Sequence, residues 1–438
     1  MNHYNVIKNN VQPSPQTGYR AIAKAQEFSK NKSNGNAREL ADSVDVSLFK
    51  GADEKKEYKW TILIYSSATG DIDAQAVESI KDLEKTGSDE NIAIVLQQSR
   101  KPYNSEAGWT GARRYFIVKN NSAGITSDPT DVSSPVLEEL GKINPSDEKN
   151  LENFISWGMK KFPAERTMIV LGGHGAGFLG AISDPDKKKL MNMGNITSAI
   201  KKIGKNPDVI VFNSCLMSMA ETAGEMAGQA GYMVASECDL KETGLPLGEF
   251  VRNLKEKTEA GSTISSEDAA AMLTDACALE PEKTGVVCAV RLDNVDVLLN
   301  KIDELAGLIL ETNTPKEVIQ RIVKNTTKPL IQEKPNPPLT DYCDLYDFAD
   351  KIFKSPEIED KGVKNAAEQL KDSVAQTLVK SAAGNDSKRL HGISIYIPLK
   401  NPYEYGDWIG KTISEAYKEL KISGKKNWQK MINWLKEY

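Results

Sequence analysis

Short apolar runs alternate with amphipathic segments from position 58 to position 236. The runs are rich in β-branched residues and end at Gly, Asn, Ser or Pro, which is typical of strands in a buried parallel sheet. The segments between them carry apolar residues three and four positions apart, as amphipathic helices do. Strands are predicted at 58–65, 91–97, 113–118, 167–171, 208–212 and 232–236, and helices at 73–85, 147–161 and 216–230. This alternation predicts an α/β sandwich with a mainly parallel central sheet.

Beyond position 236 the pattern becomes mostly helical. Two further strands are predicted at 286–291 and 392–397, and helices at 263–279, 293–313, 315–324, 341–354, 362–381 and 412–437. We therefore expect a core at 58–292 and a largely helical C-terminal subdomain at 293–438, whose strand near 392–397 returns to the sheet. Residues 1–57 are polar and rich in Asn, Ser and Lys, which predicts a flexible leader.

Charge and composition exclude several classes of function. The 438 residues carry mixed charges with a net charge of −5 and contain no block of Lys and Arg, so a nucleic-acid partner is not expected. The sequence has no apolar run of the roughly 18 residues that a membrane span needs. The first positions lack the apolar region of a secretory signal, so we expect a cytoplasmic protein or export by an unrecognised route. The five cysteines are widely spaced without a CxxC, which favours free thiols over disulfides or zinc.

Two strand ends carry the candidate chemistry. Gly173-His174-Gly175 follows the strand at 167–171, and Cys215 follows the strand at 208–212. Because the carboxyl ends of parallel strands meet at one edge of a sheet, the imidazole and the thiol are expected to be neighbours. A His/Cys pair is suited to acyl transfer, with the Gly175 and Cys215 N–H groups as oxyanion donors. Cys215 also precedes a predicted helix, whose dipole would lower the pKa of its thiol.

Other chemistry-bearing residues fit structural roles better. Cys277, Cys288 and Cys343 lie in apolar or helical patterns, where a free Cys is usually buried. His3 lies in the leader, and His391 precedes a strand. Positions 175–180 read GAGFLG, a literal GxGxxG, which alone is a weak sign of dinucleotide binding. The next strand ends in Asn213 instead of an acid, and helix breakers stand where the fingerprint needs a helix, so an oxidoreductase is disfavoured.

At these residues the sequence resembles the clostripain-like cysteine peptidases of the caspase-like clan, over roughly 58–436. The resemblance rests on motifs that occur in order along the chain: Trp60 to Tyr65, Gly141 to Ile155, Gly173-His174-Gly175, Asn213-Ser214-Cys215-Leu216-Met217 with Glu221, Ala235-Ser236-Glu237, Asp344 to Phe348 and Gly392 to Pro398. It implies a caspase-like α/β/α sandwich with His174 as general base and acid and Cys215 as nucleophile. It also implies cleavage after basic residues, often with self-processing and sometimes with calcium dependence.

The sequence departs from the family around the substrate pocket. The family usually has Asp two residues before the catalytic Cys, where this chain has Asn213, so a basic P1 side chain would lack its charged partner. The stretch after Ser236 and Glu237 also differs, which indicates a changed pocket wall. We expect Asn213, Ser236, Glu237 and Asp239 to line this pocket, with Asp239 or Glu242 as a candidate replacement charge.

These residues predict a cysteine endopeptidase of protein or peptide substrates, with a catalytically silent peptide-binding or scaffold protein on the same fold as the alternative. Lys187, Lys188 and Lys189, in a predicted loop between the His and Cys strands, are candidate self-cleavage sites. No cofactor is required. Calcium is an option because Asp341, Asp344 and Asp347 form an acidic group, but their spacing alone does not define a set of calcium ligands. A monomer is the default expectation.

Overall fold

The central sheet is built from strands whose side chains are buried on both faces. The computed structural model describes residues 57–102, 109–120, 132–184, 189–241, 243–279, 285–312, 314–329, 339–383 and 389–436, so positions 1–56 of the predicted leader lie outside the described residues. In the first strand Ile62 and Ile64 join one hydrophobic cluster, whereas Leu63 and Tyr65 join another on the opposite face. Because alternate side chains enter two buried clusters, residues 62–65 are all apolar instead of alternating with polar residues.

The main sheet has nine described strands. In chain order they are β1 (Tyr58–Gly70), β2 (Ile92–Pro102), β3 (Gly111–Phe116), β4 (Val136–Gly141), β5 (Ala164–Gly172), β8 (Val209–Asn213), β9 (Tyr232–Ser236), β10 (Val286–Arg291) and β12 (Leu378–Ala383). The other four described strands form two small separate sheets, in which β6 (Ala181–Asp184) pairs with β7 (Lys189–Met191) and β11 (Tyr342–Asp344) pairs with β13 (Ser394–Tyr396). The spatial order is β12-β10-β9-β8-β5-β1-β2-β3-β4. The five central strands from β9 to β2 are parallel, and two antiparallel strands flank them on each side. The chain order reverses between β1 and β5, which makes their carboxyl ends the expected place for a substrate.

Helices cover both faces of the sheet. They are α1 (Asp73–Glu84), α2 (Glu148–Lys161), α3 (Met193–Lys202), α4 (Ala220–Met226), α5 (Leu247–Glu259), α6 (Ser266–Leu279), α7 (Val295–Glu311), α8 (Lys316–Asn325), α9 (Leu345–Lys354), α10 (Lys361–Thr377), α11 (Asp407–Lys418) and α12 (Lys426–Leu435). Buried residues of α1, α5 and α6 join one hydrophobic cluster, and those of the other helices join the second. The predicted α/β/α sandwich is therefore confirmed. Among the helices that the structure describes, none is both long and apolar enough to cross a membrane.

The C-terminal portion joins the main sheet by a different strand from the one predicted. The strand near 392–397 is observed as β13, but it pairs with β11 in a small separate sheet. The predicted helix at 362–381 ends at Thr377, and β12 adds antiparallel to β10. The sequence LVKSAA of β12 has little strand propensity, so the unpaired backbone groups at the edge of β10 decide its conformation. The hydrophobic cluster that contains Leu63 and Tyr65 also contains residues from both sides of position 292. The division of the chain into two domains at this position stays a prediction.

Candidate active site

His174 lies on the loop that leaves the carboxyl end of β5. Gly173 has φ 144°, and a side chain there would lie 3.3 Å from the Ser67 carbonyl oxygen, so the loop needs this glycine to run against the end of β1. The His174 carbonyl accepts a hydrogen bond from the Ile182 N–H at 2.9 Å, which fixes the backbone. The imidazole itself is 44% exposed, and its Nε2 lies 2.9 Å from Oδ1 of Asp71. The ring is thus accessible and has one ionic partner recorded among the described residues.

Cys215 lies in an irregular turn, and the expected helix does not begin there. β8 ends at Asn213, Leu216 has φ 63°, and α4 begins only at Ala220. The dipole effect is confined to the first turn of a helix, so the predicted lowering of the thiol pKa is wrong. Instead the Leu240 N–H points at Sγ over 3.3 Å, and burial raises the pKa of Cys215 to about 11. The resting thiol is therefore protonated at neutral pH.

The loops that carry His174 and Cys215 are in direct contact through Gly175. A methyl group added at Gly175 would lie 2.7 Å from the Cys215 carbonyl oxygen and 2.8 Å from Cβ of Ser214. The two strand ends are therefore adjacent, as their parallel registers require. The Cys215 N–H is directed at its own Sγ, and this hydrogen bond lowers the pKa of the thiol against the larger effect of burial. Gly175 lies beside the nucleophile, and the role of the two N–H groups as oxyanion donors stays a prediction.

Asn213 and Asp239, two residues of the predicted pocket, differ in their hydrogen bonding. Oδ1 of Asn213 accepts a hydrogen bond from the Leu245 N–H at 2.8 Å, so this side chain holds the loop after β9. Asp239 is partly buried, and its Oδ2 has no hydrogen-bond partner among the described residues. Desolvation raises the pKa of Asp239, and the charge of this carboxylate in turn raises the pKa of the Cys215 thiol. Asp239 is thus a partly buried acid within electrostatic reach of Cys215, and its Oδ2 lacks a hydrogen-bond partner in the part of the chain that the structure describes.

The predicted pocket role of Ser236 and Glu237 is corrected by their burial. Both side chains are fully buried at the end of β9. The Ser236 hydroxyl donates to the Val286 carbonyl, and Oε2 of Glu237 accepts from the Gly392 N–H at 2.7 Å. Burial and the neighbouring Asp344 carboxylate raise the pKa of Glu237 well above its ordinary value. Successive side chains at the end of a strand point to opposite faces of the sheet, and the sequence pattern does not show which of them is covered by other segments.

The acidic group proposed for calcium is not assembled. Asp341 accepts from the Tyr405 hydroxyl at 3.2 Å, and burial raises its pKa to about 6. Asp344 is buried against Nδ1 of His391 at 3.1 Å, and Asp347 pairs with Lys351. Each carboxylate thus has its own partner, and among the described residues no group of three or more His, Cys, Asp or Glu converges on a metal position. Calcium dependence stays a prediction.

A buried carboxyl group, Glu221, lies behind the site in a cluster of aromatic rings. Phe178, from the His174 loop, packs against Tyr396 and Tyr417 with ring centroids 4.9 and 5.3 Å away. Oε1 of Glu221 accepts from the Tyr396 N–H at 2.9 Å, whereas Oε2 has no partner among the described residues. Desolvation raises the pKa of Glu221 to about 7. The cluster joins the His174 loop to α4, the first helix after Cys215.

Glu221→Gln is expected to remove one source of pH-dependent stability. The pKa of the Glu221 carboxyl is about 4.3 in the unfolded chain and about 7 in the folded protein, so ionisation favours the unfolded chain. The wild type therefore loses stability as the pH rises from about 4.3 through about 7. The stability of the variant relative to the wild type should therefore increase by about 3 kcal/mol between pH 4.5 and pH 8. Urea unfolding at several pH values measures this change. Glu368→Gln, at an exposed position of α10, should show no such trend, and a difference for Glu221→Gln that is the same at every pH would contradict the expectation.

Two short strands that the sequence did not predict, β6 and β7, flank the lysine-rich segment between the His and Cys strands. β6 and β7 pair through Asp184 and Lys189, and Lys189 is exposed. Lys187 and Lys188 lie outside the described residues. The GxGxxG stretch continues through a 3₁₀ turn (Gly177–Leu179) into β6 and not into a helix, so the dinucleotide fingerprint lacks its structural context.

Two residues near the reacting groups were missed by sequence reasoning. Asp71 stands in a turn-like Thr-Gly-Asp stretch without a catalytic motif, and Leu240 is an apolar residue without reactive side-chain chemistry. Asp71 follows a strand end beside β5, so the rule that strand ends share an edge would have placed it near His174. Leu240 contacts Cys215 through its backbone, and a backbone contact leaves no trace in the residue type.

Comparisons with known proteins identify the family and the fold. The sequence profile described as the clostripain family matches residues 71–435. A comparison with the curated proteins finds no match. Among solved structures, a similar one is an inactive zymogen C11 protease from Parabacteroides distasonis, with 18% identity, 84% of this chain and 98% of that chain covered, and a TM-score of 0.58.

Two further similar structures come from Bacteroides thetaiotaomicron. One is a secreted C11 cysteine protease in complex with an irreversible peptide inhibitor, with 14% identity, coverage of 85% and 99%, and a TM-score of 0.60. The other is a secreted C11 cysteine protease called iotapain, with 13% identity, coverage of 84% and 99%, and a TM-score of 0.61. At these identities the structures establish the common fold.

Proposed function

The chain belongs to the clostripain family of cysteine peptidases, and we propose that it cleaves peptide bonds with a His174/Cys215 dyad, preferentially after Lys or Arg. Family membership makes it a cysteine-type endopeptidase acting on proteins or peptides. The assignment of the dyad rests on the contact between the two loops at Gly175, which brings the His-bearing and Cys-bearing strand ends together. No cofactor is part of the proposal.

In the proposed mechanism His174 acts as a general base during attack. Because burial keeps the Cys215 thiol protonated at rest, a preformed thiolate–imidazolium pair is not expected. The imidazole takes the thiol proton as Sγ bonds to the scissile carbonyl carbon, and the Gly175 and Cys215 N–H groups receive the oxyanion. The imidazolium then protonates the leaving amine, and water hydrolyses the acyl-enzyme.

The preference for a basic P1 residue rests on Asp239. Asn213 is neutral and its oxygen is already bonded to the Leu245 N–H, so it supplies no charge to a substrate. Asp239 is desolvated, has no hydrogen-bond partner at Oδ2 among the described residues, and is electrostatically coupled to the Cys215 thiol. A partly buried carboxylate without a partner gains most from a cationic side chain that arrives with the substrate.

Covalent labelling tests the nucleophile. A peptidyl acyloxymethyl ketone with P1 Lys is expected to add once to the wild type and not to Cys215→Ala, as seen by intact-protein mass. Probes with neutral and acidic P1 groups, with and without calcium, form the second arm. If every probe fails on folded wild-type protein, the catalytically silent peptide-binding protein becomes the better account.

We also propose self-cleavage in the hairpin between β6 and β7. The similar structure from Parabacteroides distasonis is a zymogen, and Lys189 is exposed next to Lys188 in this chain. Wild-type protein is expected to yield two fragments on incubation, whereas Lys187/Lys188/Lys189→Ala and Cys215→Ala should each remain intact, as measured by mass spectrometry. A triple variant that is still cut in this segment, with unchanged activity, would exclude the proposal.

A further inference from the structure

His174 needs an orienting partner, because its ring is exposed while its backbone is fixed. The Ile182 N–H holds the His174 carbonyl, but that bond leaves the side-chain torsions free. A half-exposed imidazole would sample several rotamers and both neutral tautomers. Asp71, 55% exposed, is the ionic partner that the structure records for this ring.

Asp71 itself is held in place by its neighbours. Gly70 has φ 67°, which turns the chain sharply at the end of β1. Two positions further on, the buried Asp73 carboxylate accepts two hydrogen bonds from Arg100, at 2.9 and 2.5 Å. Ser66 is in register with Gly172, so the turn and the His174 loop leave adjacent strand ends. The backbone on both sides of Asp71 is therefore fixed, and the Asp71 carboxylate contacts the imidazole.

We propose that Asp71 is a positioning residue that keeps the proton of neutral His174 on Nε2, so that Nδ1 takes the Cys215 proton. The inference rests on the proposed dyad. A carboxylate only accepts hydrogen bonds, so a distance of 2.9 Å to Nε2 requires N–H there and leaves the lone pair on Nδ1. The same carboxylate stabilises the imidazolium that forms when the thiol proton is transferred.

The expected catalytic effect is moderate. Where a carboxylate of this kind is buried, its replacement by the amide lowers kcat about 10⁴-fold. Here both partners are about half exposed, and water screens the charge, so Asp71→Asn is expected to lower kcat about 10-fold with KM unchanged. Asp372→Asn, at an exposed position of α10, serves as the matched control.

A second measurement reports the tautomer without any turnover. The chain has three histidines, so the ¹⁵N spectrum of histidine-labelled protein is simple, and His174→Gln assigns the signal. In wild type the Nε2–H tautomer of His174 should dominate, and in Asp71→Asn the Nδ1–H tautomer should increase. Equal tautomer populations and equal kcat in the two proteins would overturn the inference. If none of the P1 probes labels the wild type, the proposed function falls, and the tautomer spectrum still decides whether Asp71 holds the His174 proton on Nε2.

Discussion

Replacing His174 with Ala is expected to lower kcat/KM for peptide hydrolysis about 10⁴-fold. The Cys215 thiol is protonated at rest because burial raises its pKa to about 11, so without a base very little thiolate is present at neutral pH. The activity that remains should rise with pH beyond the range in which the wild type has reached its plateau. Hydrolysis of a fluorogenic peptide measured from pH 6 to pH 10 tests both parts.

Two controls make the His174 experiment decisive. Cys215→Ala should show no hydrolysis at any pH, because it lacks the nucleophile. His391→Gln should behave like wild type in kcat, since its ring stacks on Tyr346 and bonds to buried Asp344. A His174→Ala enzyme with a flat pH profile and near wild-type kcat/KM would show that another group takes the thiol proton.

The parts of the site that the sequence predicted are those fixed by strand ends. β5 and β8 are apolar, β-branched and adjacent in a parallel sheet, so the residues that follow them share one edge. This rule places His174 and Cys215 at the same edge. It depends only on the local strand pattern in the sequence and on the right-handed crossover connections between parallel strands. The same rule applies to Asp71 after β1, and it was missed because a carboxylate in a turn is usually a solvated residue.

The parts that the sequence did not predict depend on contacts between distant segments. The pKa of Cys215 is raised mainly by burial, and two groups that also act on it, the Leu240 N–H and the Asp239 carboxylate, lie on the segment that follows β9. Glu237 lies inside the protein because the turn before β13 supplies a backbone donor to it. β12 becomes a strand because β10 offers an open edge. None of these contacts produces a periodic pattern or a characteristic residue spacing in the sequence.

Asp239→Asn is expected to remove most of the preference for Lys at P1. The substitution keeps the size of the side chain and removes the charge, and the loss of one partner from a desolvated charge pair costs about 3 kcal/mol, or about 100-fold in kcat/KM. A substrate with norleucine at P1 has nearly the same shape without the ammonium group, so its kcat/KM should change little. The ratio of kcat/KM for the Lys substrate to that for the norleucine substrate is the quantity to measure.

Moving the charge provides the matched test of this prediction. Asn213→Asp keeps an oxygen that accepts from the Leu245 N–H and adds a carboxylate two residues before Cys215. In the Asp239→Asn background it should restore part of the Lys preference if both positions face the P1 side chain. An unchanged Lys-to-norleucine ratio in Asp239→Asn would show that Asp239 does not contact P1. The P1 preference would then have to come from Glu242, which lies outside the described residues, or from size and apolar contact, because Asn213 carries no charge and the Glu237 carboxyl is fully buried against Gly392.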